Sequence, residues 1–148
     1  LTQTFEDEAL PISPEFIVNM SVLPKLWSRT AKAEGDLSLP EYRILDLLVH
    51  SGEPLRSFDV ASRLAMDRAA VSRNKDKLEK AGYIQAEQNA KDRRDVLLSP
   101  TEKGKTTEAR IHEKLQEITS DLYSDLDDEE AKRMNGQHAQ MYRTLTSK

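Results

Sequence analysis

Residues 57–104 read SFDVASRLAMDRAAVSRNKDKLEKAGYIQAEQNAKDRRDVLLSPTEKG. Ser57 has the chemistry of an N-cap, and it precedes a short helical face made of Phe58, Val60, Ala61 and Leu64. A break at Met66-Asp67 leads into a second helix that runs to about Ala81, where Gly82 stops it as a C′ glycine does. Helix, tight turn, helix is the outline of a helix-turn-helix. The period then changes. Tyr83, Ile84 and the polar run QAEQNA read as a weak strand, and Val96, Leu97 and Leu98 as a stronger one. The charged tip Lys91-Asp92-Arg93-Arg94-Asp95 joins them into a β-hairpin, a wing. The expected fold is mainly α with a small β-hairpin wing, a winged helix-turn-helix.

Upstream, a helix is expected from about Pro40 to His50, with Tyr42, Ile44, Leu45, Leu48 and Val49 as its apolar face and Ser51-Gly52 as its end. Leu55 is a one-residue hint of strand. Further upstream, Ser13-Pro14 opens a helix whose Phe16, Met20, Leu23 and Trp27 follow 4-3-4 spacing. Pro24 should kink or split that helix, and Gly35 closes it. Downstream of Thr101 the chain is helical again, with Ile111, Leu115, Ile118, Leu122 and Leu126 in register. Asp127 to Glu130 place carboxylates at a helix start, where the macrodipole favours them. Ala131, Met134, His138, Met141 and Leu145 then form a second stripe. Narrow apolar stripes on charged helices suit a seam buried against a partner. The expected organisation is a flexible arm at 1–12 and one domain at 13–148. Its recognition lobe is expected at about 53–100, and a helical dimerisation layer at about 13–35 and 105–146.

Composition bounds the chemistry. Hydrophobic residues make up 37% and charged residues 32%, whereas soluble domains average about 25% charged. Such a chain suits exposed helices and a shared core. The absence of Cys excludes disulfides, Cys-ligated zinc and thiol redox sensing. No run of about 18 apolar residues occurs and the acidic start lacks a signal-peptide pattern, so a cytoplasmic protein without membrane contact is expected. The net charge of −4 is unevenly spread: residues 56–105 carry twelve Lys/Arg against eight Asp/Glu. A basic segment on an acidic frame points to nucleic acid at that segment.

The segment 39–104 resembles the multiple antibiotic resistance regulator (MarR) family of bacterial transcription factors. Its second helix, Ala70-Val71-Ser72-Arg73-Asn74-Lys75-Asp76-Lys77-Leu78-Glu79-Lys80-Ala81-Gly82, follows the pattern T-V-S-R-apolar-apolar-x-x-L-E-x-x-G. Asp92 and Arg94 match the wing signature D-x-R, and Thr101 and Gly104 match T-x-x-G. Asn74 and Lys75 depart from the pattern by replacing two apolar residues; Ala86 and Pro100 depart at the edges of the wing. The resemblance implies a homodimer that binds double-stranded DNA at a pseudo-palindromic operator. It also implies a repressor role relieved by a small, often aromatic effector bound between the dimer helices and the recognition lobe.

The residues support this reading physically. A recognition helix needs small side chains, or side chains bearing hydrogen-bonding heads, at its N-terminus. Arg68, Ala69, Ala70, Ser72 and Arg73 meet that need, and Asn74 and Lys75 extend the DNA-facing set. Arg suits guanine O6/N7, and a wing Arg suits a narrow minor groove. Lys91, Asp92, Arg93 and Arg94 are therefore the wing contacts, with Asp92 orienting Arg94. Trp27, Tyr42 and His50 combine apolar faces with polar tips and are the effector-cleft candidates. A rival use of the same fold is protein contact without sequence-specific DNA binding.

No enzyme is expected. SPTEKGKT at 99–106 approximates a phosphate-binding P-loop, but Ser99 replaces its first Gly and Pro100 lacks an N–H. No catalytic constellation, metal site or cofactor is expected either. His50, His112 and His138 are far apart in sequence and read as isolated side chains.

Overall fold

The computed structural model describes residues 14–92 and 95–147, with Glu15 and Phe16 as helix backbone only. The arm read at 1–12 lies outside the described residues. In chain order the elements are α1 (Pro14–Gly35), α2 (Leu39–His50), β1 (Leu55–Arg56), α3 (Ser57–Leu64) and α4 (Arg68–Lys80). There follow β2 (Ile84–Gln88), β3 (Val96–Pro100), α5 (Glu102–Leu122) and α6 (Asp128–Thr146).

Local chemistry explains most boundaries. Ser38 and Glu41 form a reciprocal capping box at the start of α2, the Ser38 amide donating to Glu41 Oε2 at 2.8 Å. A second box joins Asp127 and Glu130 at the start of α6. The helix α3 begins one residue earlier than expected: Arg56 occupies the cap position without a side-chain cap bond, and Ser57 is already helical. Ala65 ends α3 in the left-handed region at φ 49°. Asp67 then caps α4, accepting from the Ala70 amide at 2.7 Å. These two residues make the turn of the helix-turn-helix. Gly82, at φ 77°, ends the helix-turn-helix as the sequence predicts. Pro24 does not split α1, which runs as one helix through it.

The sheet has three antiparallel strands in the order β1-β3-β2. Leu55 pairs with Leu98, so the hint of strand at Leu55 becomes a third strand beside the expected hairpin. Along the hairpin, Ile84 stands opposite Pro100 and Gln88 opposite Val96. The helix α2 occupies the centre of the core. Its Ile44, Leu45 and Leu48 pack with Val60 of α3, Val71 and Leu78 of α4, Ile84 and Leu98 of the sheet, and Ile111 of α5. Each such side chain contributes about 1.5–3 kcal/mol by leaving water.

One junction ties the lobe to the long helix. The Thr101 amide donates to the Tyr83 carbonyl at 3.0 Å, while Thr101 Oγ1 donates to the Gly82 carbonyl at 2.7 Å and accepts from the Gly104 amide at 3.1 Å. A Cβ on Gly104 would lie 2.1 Å from the Tyr83 oxygen. The P-loop resemblance therefore has another physical basis. The amides of Thr101, Gly104 and Lys105 are all committed to protein partners, and the glycine permits close packing. On the other side, α1 meets α5 where Gly35 sits within what would be 2.7 Å of Ile111 Cδ1 for an added Cβ.

The terminal helices are less covered. Among the described residues of α6 none is buried, and Leu122, Met141, Leu145, Ile17, Met20 and Val22 are all exposed in the single chain. Substitution at two glycines checks the packing. Gly104→Ala should lower unfolding stability by about 3 kcal/mol, since a methyl against backbone is overpacking that no rotamer change relieves. Gly136→Ala, in α6 with nothing within 4 Å of its added Cβ, should raise it by about 0.5–1 kcal/mol. Urea denaturation of the two variants reads both signs.

Candidate nucleic-acid interface

The seating of α4 is decided by Val71 and Leu78, its buried residues, which turn the opposite face outward. Asp67 anchors the first turn. Ala69, Ser72 and Arg73 are exposed and Ala70 half-buried, so small side chains surround an outward guanidinium. Arg68 extends over the ring of Phe58 at 4.7 Å from its centroid, giving an otherwise exposed phenylalanine a cationic cover. Asn74 and Lys75 differ from the rest of the expected set. Asn74 Nδ2 donates back to the Ala70 carbonyl at 2.8 Å, which ties up its amide within the helix. The Lys75 side chain is only 20% exposed, and its ammonium pairs with Asp76 at 2.9 Å. A long stem can be covered in this way while its charged head stays paired. Lys75 also lines a notch of about 360 Å³ with Ser57, Phe58, Arg68, Ser72 and Asp95, between α3, α4 and the wing.

The wing closes through backbone. Asn89 N donates to Asp95 O and Asp95 N to Asp92 O, both at 3.0 Å, while Lys91 N donates to Asn89 Oδ1 at 3.0 Å. Lys91 and Asp92 are exposed. Arg93 and Arg94 lie outside the described residues. Arg56, which sequence reasoning passed over, anchors the wing base. Its guanidinium forks onto Asp59 at 2.8 and 2.9 Å and reaches Asp95 at 3.6 Å. Hydrogen bonding to Arg56 holds the Asp59 carboxyl below the usual carboxylate range.

Two of the three effector-cleft candidates meet. Trp27 and Tyr42 line a cavity of about 680 Å³ walled by α1, α2 and α5, with Leu39, Arg43, Asp46, His112 and Leu115. The Tyr42 hydroxyl lies 3.5 Å from Asp46 Oδ1, and burial pushes its phenol pKa upward. His50 is absent from the cavity lining. It sits one turn beyond Asp46, with its ring 5.4 Å from that of His112.

That contact overturns the expectation of isolated histidines. Asp46 and His50 on α2 face Glu108 and His112 on α5, and one ligand atom from each lies within 4.8 Å of the others. Glu108 is buried, and burial, then the charge of Asp46, raises its pKa. The Nδ1 of His50 bonds the Asp46 carbonyl at 2.9 Å, and that bond raises the His50 pKa. A sequence signal existed in the paired spacings Asp46-x3-His50 and Glu108-x3-His112, but only tertiary packing shows that the two faces meet.

A helix-turn-helix followed by a wing and framed by terminal helices defines a winged-helix protein. Residues 35–95 match the model of the MarR family. A curated relative, the uncharacterised helix-turn-helix-type transcriptional regulator YfiV of Bacillus subtilis, is 30% identical over 79 residues, 53% of this chain. The match spans about half the length of that relative, 49%. The fold is similar to that of NadR solved in complex with 4-hydroxyphenylacetate, with a TM-score of 0.76 and 21% identity over 95% of this chain and 99% of that one. It is also similar to MepR of S. aureus solved in a DNA complex, with a TM-score of 0.75 and 21% identity over 93% and 99% of the two chains.

The cap of α4 is separable from its outward face. Asp67→Ala should cost about 1 kcal/mol of stability by orphaning the Ala70 amide. Hydrogen exchange should quicken at Ala70 and Val71 and stay slow at Leu78.

Proposed function

We propose that this chain is a homodimeric, sequence-specific regulator of transcription that binds double-stranded DNA, a repressor released by a small, aromatic ligand. The observation that carries the reading is the outward face of α4. Ser72 and Arg73 stand exposed among alanines, on a helix seated by Val71 and Leu78 and flanked by the wing. Small residues let the backbone approach a major groove, and Arg73 supplies a bidentate head for a base edge. The wing, carrying Lys91, Asp92, Arg93 and Arg94, then reads the neighbouring minor groove. The DNA complex of MepR supports this use of the shared fold.

Dimerisation follows from what the single chain leaves uncovered. Ile17, Met20 and Val22 on α1, Leu122 at the end of α5, and Met141 and Leu145 on α6 are exposed on the two ends of one helical layer. A second copy is the partner that covers both ends at once and presents two α4 helices to a pseudo-palindromic operator. The cavity holding Trp27 and Tyr42 is of drug-like size and mainly apolar, and the aromatic acid bound by NadR supports an aromatic effector there. A cytoplasmic location belongs to this reading.

Two experiments decide it. Arg73→Ala should cost about 1–3 kcal/mol at the operator and relax preference at one position per half-site. Arg94→Ala should weaken binding to many A·T-flanked sequences alike and lower the salt slope by about one unit for each phosphate left unneutralised. Titration over a salt series distinguishes the two; equal binding of operator and random DNA by the parent overturns the reading in favour of a protein-contact module. Separately, Leu122→Asp with Leu145→Asp should convert the dimer to a monomer of 16.8 kDa in light scattering at micromolar concentration. Both side chains are already exposed in the single chain, so the lobe should stay folded.

A further inference from the structure

The facing pairs on α2 and α5 form a donor set at the edge of the cavity that holds Trp27 and Tyr42, sharing Asp46 and His112 with its lining. Spacing of i and i+4 stacks Asp46 with His50 and Glu108 with His112, each pair on one helical face. The separations are already short. Within α2, His50 Nδ1 lies 3.4 Å from Asp46 Oδ1; across the helices, His112 Nδ1 lies 3.9 Å from that same oxygen and 3.6 Å from Glu108 Oε1 of its own helix. A tetrahedral zinc ion with bonds of about 2.0–2.2 Å needs donors roughly 3.3 Å apart, and one donor atom from each of the four side chains already lies within 4.8 Å of the others.

Two further observations point to a cation. Glu108 is only 3% exposed, and its Oε1 is buried without a hydrogen-bond partner in the protein, a condition that native proteins ordinarily relieve with an ion or a water. Every ion pair of Asp46 and Glu108 among the described residues runs to His50 or His112. Asp46 and Glu108 bring two carboxylates together at the buried junction, and a dication would relieve their mutual repulsion.

We propose that Asp46, His50, Glu108 and His112 bind one transition-metal dication per chain, zinc foremost, tying α2 to α5. Two imidazoles select zinc, cobalt or nickel over calcium and magnesium, which prefer all-oxygen shells. The half-exposed side chains of Asp46, His50 and His112 give the ion a path from solvent and room for a water as a further ligand. The site neither requires the DNA reading nor tests it.

The decisive measurement is metal titration of the purified chain after treatment with chelator. Zinc should bind at one equivalent per chain in competition with a chromophoric chelator, and cobalt(II) should give the visible bands of a nitrogen- and oxygen-ligated site. His50→Ala with His112→Ala should weaken zinc binding at least about 100-fold, and Glu108→Gln, nearly isosteric, should weaken it without loss of helical circular dichroism. His138→Ala, on α6, should leave the affinity unchanged. Absence of zinc binding by the parent chain overturns the proposal. So does equal competition by calcium, or a His138→Ala loss as large as that of the double variant.

Discussion

The carbonyl of Tyr83 is the point on which the architecture turns. Helix α4 has just ended and β2 is about to begin, and at this oxygen the Thr101 amide bonds while Gly104 presses its bare Cα alongside. Three elements are thereby joined within a few ångströms: helix α4, the wing and the long helix α5. The side chain of Tyr83 extends the same joint, its hydroxyl donating to the Gly35 carbonyl at 2.9 Å and its ring lying under the Lys103 ammonium. Lys103 in turn reaches the Ala81 carbonyl at 2.6 Å, at the end of α4 that the macrodipole makes most negative. These bonds fix α4 relative to α5 together with the core the two helices share around α2. A side chain larger than hydrogen at Gly104 has nowhere to go but into backbone.

Much of this was legible in the sequence because its signals are local. Gly82, Asp67, Ser38 and the acidic start of α6 act through neighbours three or four residues away, and each stands within two residues of a boundary that the sequence implies. The core strands and helices follow from apolar spacing, since Leu45, Val71, Leu78 and Leu98 obey the periods of their elements. The misses share a different origin. Ser57 lost the cap to Arg56, whose guanidinium serves Asp59 and also Asp95, a partner distant in sequence. Leu55 became a true strand only because Leu98 was there to pair with it. The P-loop likeness at 99–106 arose because a glycine required for close packing and a glycine required for phosphate look alike in one dimension.

Site residues show the same division. Arg73 and Ser72 could be placed on an outward face from the period of α4 alone. Asn74 and Lys75 could not, because their fate depended on whether an amide would fold back on its own helix and whether a lysine would lie covered and paired with Asp76. The four donors on α2 and α5 were invisible as a group for a simpler reason. Each half is an ordinary carboxylate–histidine pair on a helix surface, and the stretch between His50 and Glu108 contains the whole helix-turn-helix and wing. Only the return of α5 across α2 brings the halves into register.

The carboxyl end of α3 has two visitors. Arg43 of α2 donates to the Leu64 carbonyl at 2.7 Å, and Tyr142 of α6 donates to the Arg63 carbonyl at 2.9 Å. These last carbonyls lack partners within their own helix, so side chains from α2 and α6 satisfy them. Helix α3, which leads into α4, is therefore held in part by α6. Energetic coupling of this kind runs equally in both directions. Displacing α6 would take the Tyr142 hydroxyl from the Arg63 carbonyl, two residues before the left-handed Ala65 that turns the chain towards α4.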